Sequence, residues 1–454
     1  MTFENIVNLQ REYGLSNVTK DISYRKASLE RMLDSLTDNE QALYRALSQD
    51  LGKSRQEAFI SEIAMVKQEI NYAIDHVEKW AAKKRVYTPL YLLPAKNYKV
   101  YEPYGVVLII SPWNNPVLFT LLPLVGAIAA GNTAILKISK KCANTAEALA
   151  AFINSTFDKR YVYAIDEPLS NSEIMSRKYD FIFFTGSERV GKSVMRAAAE
   201  KLTPVSLQMG GKCPCIIGPE ADLRMAAKKI IWAKTLNAGQ NALAPDYVVV
   251  PKYQKAELIR NLREMIDEMI RDPFNNDAYP RIIDLHHFMR LTKHILGESN
   301  IIGGIYDDKS MKIEPTILPN TTFDSEIMKE EIYGPILPIL EYDDIYEVID
   351  IIKRRPKPLA CYVFTQNKDF ADEMTEKLPC GGCCINDCMV QIFNPRLPFG
   401  GVGESGNGKY RGRYSFELFS NTKSVSYNIS GRDKGDKYPP YNDEKYETLR
   451  KILK

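Results

Sequence analysis

Apolar residues recur at helical spacing through most of the first hundred positions. KASLERMLDSL and AFISEIAMVKQEINYAIDHV show it best and predict an amphipathic helical opening. From residue 84 to 105, KRVYTPLYLLPAKNYKVYEPYG switches to alternation with turn residues, the pattern of a β-ribbon or linker. Strand and helix patterns then alternate: GVVLIIS, PVLFTLLPLVGAIAAG, NTAILKIS, TAEALAAFI, RYVYAI, YDFIFFTGS and RVGKSVMRAAAEKL. That order predicts a parallel sheet with crossover helices. CPCIIG, RMAAKKIIWAKTLNAG, DYVVVPK and AELIRNLREMIDEMI repeat it and predict a second α/β unit. The end, GDKYPPYNDEKYETLRKILK, is polar and offers no lipid anchor.

One stretch needs a decision. Pro103 to Leu136 holds no charged residue, and length alone would nominate a membrane helix. Pro112, Pro116, Pro123, the Asn114-Asn115 pair and Gly131-Asn132 divide it into a buried strand, a buried helix with Pro116 in its first turn, and a second strand. No membrane span is therefore expected. The chain of 454 residues suggests two or three domains, and 45% hydrophobic with 26% charged residues is ordinary for a globular protein. A net charge of +3 gives no field that argues for nucleic acid. The Met-Thr-Phe-Glu start lacks a signal segment, so the eight cysteines read as reduced thiols of a cytoplasmic protein.

Local chemistry is sparse until the motifs are taken together. FFTGSERVGKSV sets Gly186, Ser187 and Gly191 between an apolar strand and a helix, where exposed amides favour phosphate. A glycine turn after a buried strand is as often plain geometry, and the three-glycine dinucleotide fingerprint is absent. Cys380, Cys383, Cys384 and Cys388 cluster in LPCGGCCINDCMV with a spacing that hints at zinc, but no His lies nearby. Buried small hydrophobes are the expected role of each Cys. His76, His286, His287 and His294 show no ligand spacing, and no metal site is expected.

SPWNNP, GAIAAGNTAILKIS, FTGSERVG, LQMGGKCPCII, NAGQNALAPDYV, EEIYGPILP, RPKPLACYVF and LPFGGVGESGNGKYRG follow one another in order. In that order the chain resembles the aldehyde dehydrogenase superfamily, its class 3 branch in particular. The resemblance implies an aldehyde dehydrogenase-like α/β fold of two open parallel domains and a small oligomerisation ribbon. Residues 1–83 and 104–207 would bind a nicotinamide dinucleotide and 208–400 would form the catalytic domain. Segments 84–103 and 408–428 would pair subunits of a homodimer, with 429–454 a polar tail. By the same likeness Ser111, Trp113, Lys137, Ser139, Lys140, Gly186, Ser187, Val190, Glu331 and Tyr333 would meet the cofactor, Lys137 and Ser139 at the adenosine ribose. Glu331 would hold the nicotinamide ribose, and His287 would lie near a ribose. The strand after Asn386 would border the substrate funnel, so Cys388 or Met389 would face substrate.

Position by position, the likeness breaks at its centre. Members of the family attack the aldehyde with a Cys thiolate, pass hydride to the nicotinamide and hydrolyse the thioester. The Cys position is Ala242, a methyl group. The oxyanion-holding Asn is present as Asn114. The Glu that activates water is Gln208, whose amide cannot accept a proton at neutral pH. Tyr333 replaces the usual Phe, and Lys140 stands where NAD-using members often carry Glu, which favours NADP over NAD through a 2′-phosphate. Three readings follow: an NAD(P)-dependent oxidoreductase acting on an aldehyde or its hydrate, hemiaminal or imine without a thioester; a catalytically silent cofactor-binding or regulatory homologue; or an ordinary dehydrogenase inactivated deliberately at Ala242. The loss of Gln208's counterpart as well favours natural divergence over a single introduced change.

Overall fold

The computed structural model of the chain describes residues 2–428 and 435–453. Part of the tail expected at 429–454 lies outside the described residues. Its described portion includes a helix, Asp443–Ile452, that buries no side chain.

Two six-stranded sheets carry the fold. In the first, Gly406–Asn407, Val205–Gln208, Phe181–Thr185, Val106–Ile110, Thr133–Lys137 and Val162–Ala164 lie side by side. All pair in parallel except Gly406–Asn407, which returns antiparallel along Val205–Gln208. The second runs Thr316–Leu318, Ile336–Tyr342, Tyr247–Pro251, Pro214–Ile217, Ala360–Phe364 and Gly382–Ile385, parallel throughout. Strand order reverses beside Val106–Ile110 in one sheet and beside Pro214–Ile217 in the other, the topology that opens a ligand crevice at the strands' carboxyl ends.

The charge-free stretch resolves as its prolines and glycine suggest. Val106–Ile110 is buried at every position, and helix Pro116–Ala130 is buried throughout. Pro116 opens that helix, and Gly131 closes it in the left-handed conformation. It packs against the helices of the opening region, Ile22–Leu51 and Ala64–Ala81. Among the described residues no helix is long and apolar enough to cross a membrane.

A third, antiparallel sheet joins Lys84–Val86, Lys96–Pro103 and Ser420–Tyr427, with Ser420 opposite Pro103 and Tyr427 opposite Lys96. The ribbon pattern at 84–105 is thus met, and its long partner strand comes from the same chain. Val86, Tyr87, Leu90 and Tyr91 stand exposed along it.

Candidate active site

The helical pattern of RMAAKKIIWAKTLNAG stops earlier than its periodicity suggests. Helix Leu223–Thr235 ends, and Asn237, Ala238 and Gly239 follow in three consecutive left-handed conformations, with φ of 53°, 52° and 73°. Left-handed Ala and Asn cost on the order of 1–3 kcal/mol each and persist only where the surroundings impose them. Here Glu57 Oε1 accepts from the Asn237 N–H at 2.7 Å, and Asn237 Nδ2 donates to the Asn114 carbonyl at 2.9 Å. A Cβ at Gly239 would overlap the Gly334 carbonyl. The loop then turns back and delivers Asn241, Ala242 and Leu243 to a cavity of about 220 Å³.

Asn114 reaches the same cavity through a buried anchor. Lys53 and Glu62 form an ion pair of 2.6 Å with both side chains fully buried. Lys53 Nζ also donates to the Asn114 carbonyl at 3.1 Å, and Glu62 Oε2 accepts from Val117 N at 2.8 Å at the start of the buried helix. Position 114 is therefore fixed from its backbone, and its side chain lines the cavity.

Gln208 ends its strand at the cavity wall with its amide fully oriented. Nε2 donates to Ser206 Oγ at 3.1 Å and to the carbonyls of Asn407 at 3.1 Å and Gly408 at 3.2 Å. A carboxylate in that pose would meet two carbonyl oxygens, with only the Ser206 hydroxyl able to donate to it, so the surroundings suit an amide. With a methyl at Ala242 and an amide at Gln208, this wall holds neither a nucleophile nor a base.

Other residues lining the cavity are ionisable. Gly210 leaves room for the Glu331 carboxylate, because a Cβ there would overlap it. Burial, reinforced by Asp246, pushes the Glu331 carboxyl up to about 8. Asp246 also accepts from Ile332 N at 3.0 Å and pairs with Lys212 at 2.5 Å, which ties the Glu331 segment to the Ala242 loop. Trp113 stands edge-on to Tyr333 at 5.6 Å and to His287 at 5.2 Å. His287 Nδ1 lies 2.6 Å from Asp284 Oδ1, and Asp284 caps helix Leu285–Leu296. Burial lowers the pKa of His287 against the pull of Asp284. Asp284 and His287 also approach His286 closely enough for a metal, but Lys141 Nζ already holds Asp284 at 2.7 Å.

Gly186 and Ser187 line this cavity at the start of helix Glu188–Ala199, where free amides suit a pyrophosphate. A second cleft of about 500 Å³ has Ile110, Ile174, Val190 and Val194 among its lining residues, with Lys137, Lys201 and Glu200 as its charged groups. Burial, with Lys140 adding to it, lowers the pKa of Lys137. Lys140 is exposed and forms no ion pair among the described residues. Ser139 is half-buried and accepts from Lys141 N at 3.4 Å. Ser111 is buried and accepts from Thr120 Oγ1 at 2.7 Å, lining neither cleft.

One expectation needs correction. Cys388 and Met389 are buried in the main core and do not line the cavity; the segment turns inward after the edge strand Gly382–Ile385. The sequence reading also missed Thr185, Arg290, Phe399 and Tyr410, all on the cavity wall. A hint lay in the strand end FFTGS for Thr185; the others depend on long-range packing.

The aldehyde dehydrogenase family model matches residues 16–425. The 4,4'-diaponeurosporen-aldehyde dehydrogenase of Staphylococcus aureus is 42% identical over 443 residues, 96% of each chain. Aldehyde dehydrogenase family 3 member F1 of Arabidopsis thaliana is 39% identical over 99% of this chain and 95% of its own. Among solved structures, substrate-bound Staphylococcus aureus AldH superposes with a TM-score of 0.96 at 40% identity, covering both chains completely. The NAD+ complex of a Bacillus cereus aldehyde dehydrogenase gives 0.84 at 27% identity, over 94% of this chain and 88% of that one. Similarity of sequence and of fold thus runs nearly end to end, and the chain belongs to the aldehyde dehydrogenase family of oxidoreductases, with class 3 members among its relatives.

Proposed function

We propose that this chain carries out NAD(P)-dependent hydride transfer to or from an aldehyde-derived carbon that needs no enzyme nucleophile. The amide-fitted surroundings of Gln208 carry this reading: the carbonyls of Asn407 and Gly408, with the Ser206 hydroxyl, hold Nε2. A deliberate change at Ala242 alone would have left a carboxylate-fitted wall. When bound, the dinucleotide would accept or supply the hydride. The residues that would hold it are Glu331 at the nicotinamide ribose, Gly186 and Ser187 at the pyrophosphate, and Lys137 and Val190 at the adenosine. The Gly210 opening that admits the Glu331 carboxylate and the cleft of Lys137 and Val190 fit those groups.

Asn114 would hold the substrate oxygen, and Ala242 leaves space where a thiolate would attack. Oxidation of a hydrate removes hydride from carbon, releases a hydroxyl proton to solvent and yields the acid; a hemiaminal yields the amide in the same way. Hydride addition to the carbon of an imine, with a proton taken from solvent at its nitrogen, gives an amine. Lys140, exposed beside Lys137, supports a preference for NADP(H). The apolar ribbon supports a homodimer, which light scattering at micromolar concentration checks. The eight free thiols suit the cytoplasm.

The test is formation of reduced cofactor by the unaltered chain from aldehydes with and without added amine. Rates should follow the hydrate or hemiaminal fraction, and intact mass should show no acyl adduct. An acylated cysteine during turnover would overturn the reading.

A further inference from the structure

The loop that delivers Ala242 to the reaction cavity also borders a separate cleft of about 280 Å³, and the two share no lining residue. Trp232 from helix Leu223–Thr235 and Leu236 just beyond it form one side. Met269 at the end of helix Lys255–Met269 and Tyr279 from the segment after it also line the cleft. Glu57 joins them from the short helix Arg55–Ala58.

Glu57 is the one charged group among the described residues that line this cleft. It forms no ion pair among the described residues, because the neighbouring ammonium of Lys53 is held by Glu62 and the Asn114 carbonyl. Its Oε1 accepts from the Asn237 N–H at 2.7 Å. Its Oε2 has no partner among the described residues, yet it is not one of the atoms sealed from solvent, so it keeps accessible surface on a residue of the cleft. Burial pushes the Glu57 carboxyl up to about 7, and Lys53 offsets only part of that. Taking a carboxylate out of water without a cation is costly, and a ligand that brings the cation removes the cost.

The lining also narrows the kind of cation. One carboxylate, with no second acid, imidazole or thiol beside it, is too small a set to hold a metal ion. An ammonium needs only that oxygen, and the rings of Trp232 and Tyr279 offer an apolar, cation-tolerant bed for the carbon skeleton attached to it.

We propose that this cleft binds a small organic ammonium carrying an apolar group, with its N–H donors on Glu57 Oε2 and its skeleton against Trp232. Because Glu57 Oε1 holds the Asn237 N–H, the occupant steadies the left-handed turn that carries residue 242 to the reaction cavity. It acts from outside that cavity, so the inference stands apart from the hydride-transfer reading.

Calorimetric titration of the full chain with benzylamine and with benzyl alcohol, its neutral counterpart, at neutral pH tests the site. Benzylamine should bind at least about tenfold more tightly, the scale of one charge-assisted hydrogen bond. Glu57→Gln keeps an oxygen for the Asn237 N–H and should erase the difference, whereas Glu331→Gln in the reaction cavity should leave it. Hydrogen exchange read by mass spectrometry on the unaltered chain tests the site independently if the Glu57 variant misfolds: benzylamine should slow exchange at 54–60 and at 232–243. No binding of the amine, equal binding of the alcohol, or a preference that survives Glu57→Gln overturns the proposal. Exchange left unchanged at 54–60 or at 232–243, or slowed only at residues that line the reaction cavity, overturns it too.

Discussion

Two groups of residues around the cavity treat charge in opposite ways. Glu331, Arg290 and the His287–Asp284 pair make one group ionisable. Asn114, Gln208, Ala242 and Tyr410 give the other amides, a methyl and a phenol that stays neutral. In the proposed reading the ionisable residues meet the dinucleotide and the neutral ones the reacting carbon. The difference teaches that a cofactor platform depends on a distributed set of backbone positions and ion pairs, whereas covalent catalysis depends on single atoms. The first survives piecemeal change; the second does not.

The comparison breaks most sharply at position 242. Ala242→Cys restores a thiol at the cavity, and an accepted aldehyde should then give a burst of reduced cofactor. The unaltered chain should show no such burst, since loss of an essential nucleophile costs on the order of a million-fold in a protease example. Rapid-quench or stopped-flow absorbance of the nicotinamide reads this. The burst should stall at the thioester.

Adding Gln208→Glu to that variant should raise steady turnover by about a hundred- to ten-thousand-fold, the usual range of general-base help. The new carboxyl would face Ser206 Oγ and the carbonyls of Asn407 and Gly408. Its pKa should therefore be raised, and turnover should climb with pH as the base form accumulates. A flat pH profile would show that the amide-fitted wall had reorganised.

Among the ionisable residues the expected effect is smaller. Ribose hydroxyls bond best to the ionised form of Glu331, whose carboxyl is pushed up to about 8 by burial and Asp246. Dinucleotide affinity should rise by up to about tenfold per pH unit between pH ~6 and ~8, then level off. Glu331→Gln should flatten the profile in a fluorescence titration of reduced cofactor. The sign for stability is opposite: a raised carboxyl pKa favours the fold when protonated, so its support is lost as pH climbs from the unfolded value toward 8. Denaturant midpoints should fall over that window by more in the unaltered chain than in Glu331→Gln.

The least effect belongs to the exposed edge of the adenosine cleft. Lys140→Glu should turn an NADP(H) preference into an NAD(H) preference by about tenfold, because solvent screens an exposed cation. Calorimetric titration with both cofactors decides it.

Much of the frame was legible in order and composition. Continuous apolar runs such as Val106–Ile110 announce parallel strands covered on both faces, and Pro116 with Gly131 brackets the buried helix. The wall of the cavity was less legible because it is made by distant pairings. Tyr410 arrives there by bridging to Phe399, and the two carbonyls that orient Gln208 belong to Asn407 and Gly408, about two hundred residues along the chain. The left-handed turn at Ala238 was invisible for another reason: nothing in an Ala side chain prefers that backbone, and the apolar period runs through it. Cys388 misled because residues near a funnel in sequence can still turn into the core.

The left-handed turn at Asn237–Gly239 is held by Glu57, by the Asn114 carbonyl and by the close passage of Gly334. None of these reaches the side chain of residue 242. That position behaves as a socket: its shape is maintained by the fold, whatever is plugged into it. The chain therefore stands one substitution from a different chemistry, and Cys, Ser or selenocysteine could be exchanged at 242 without renegotiating the scaffold.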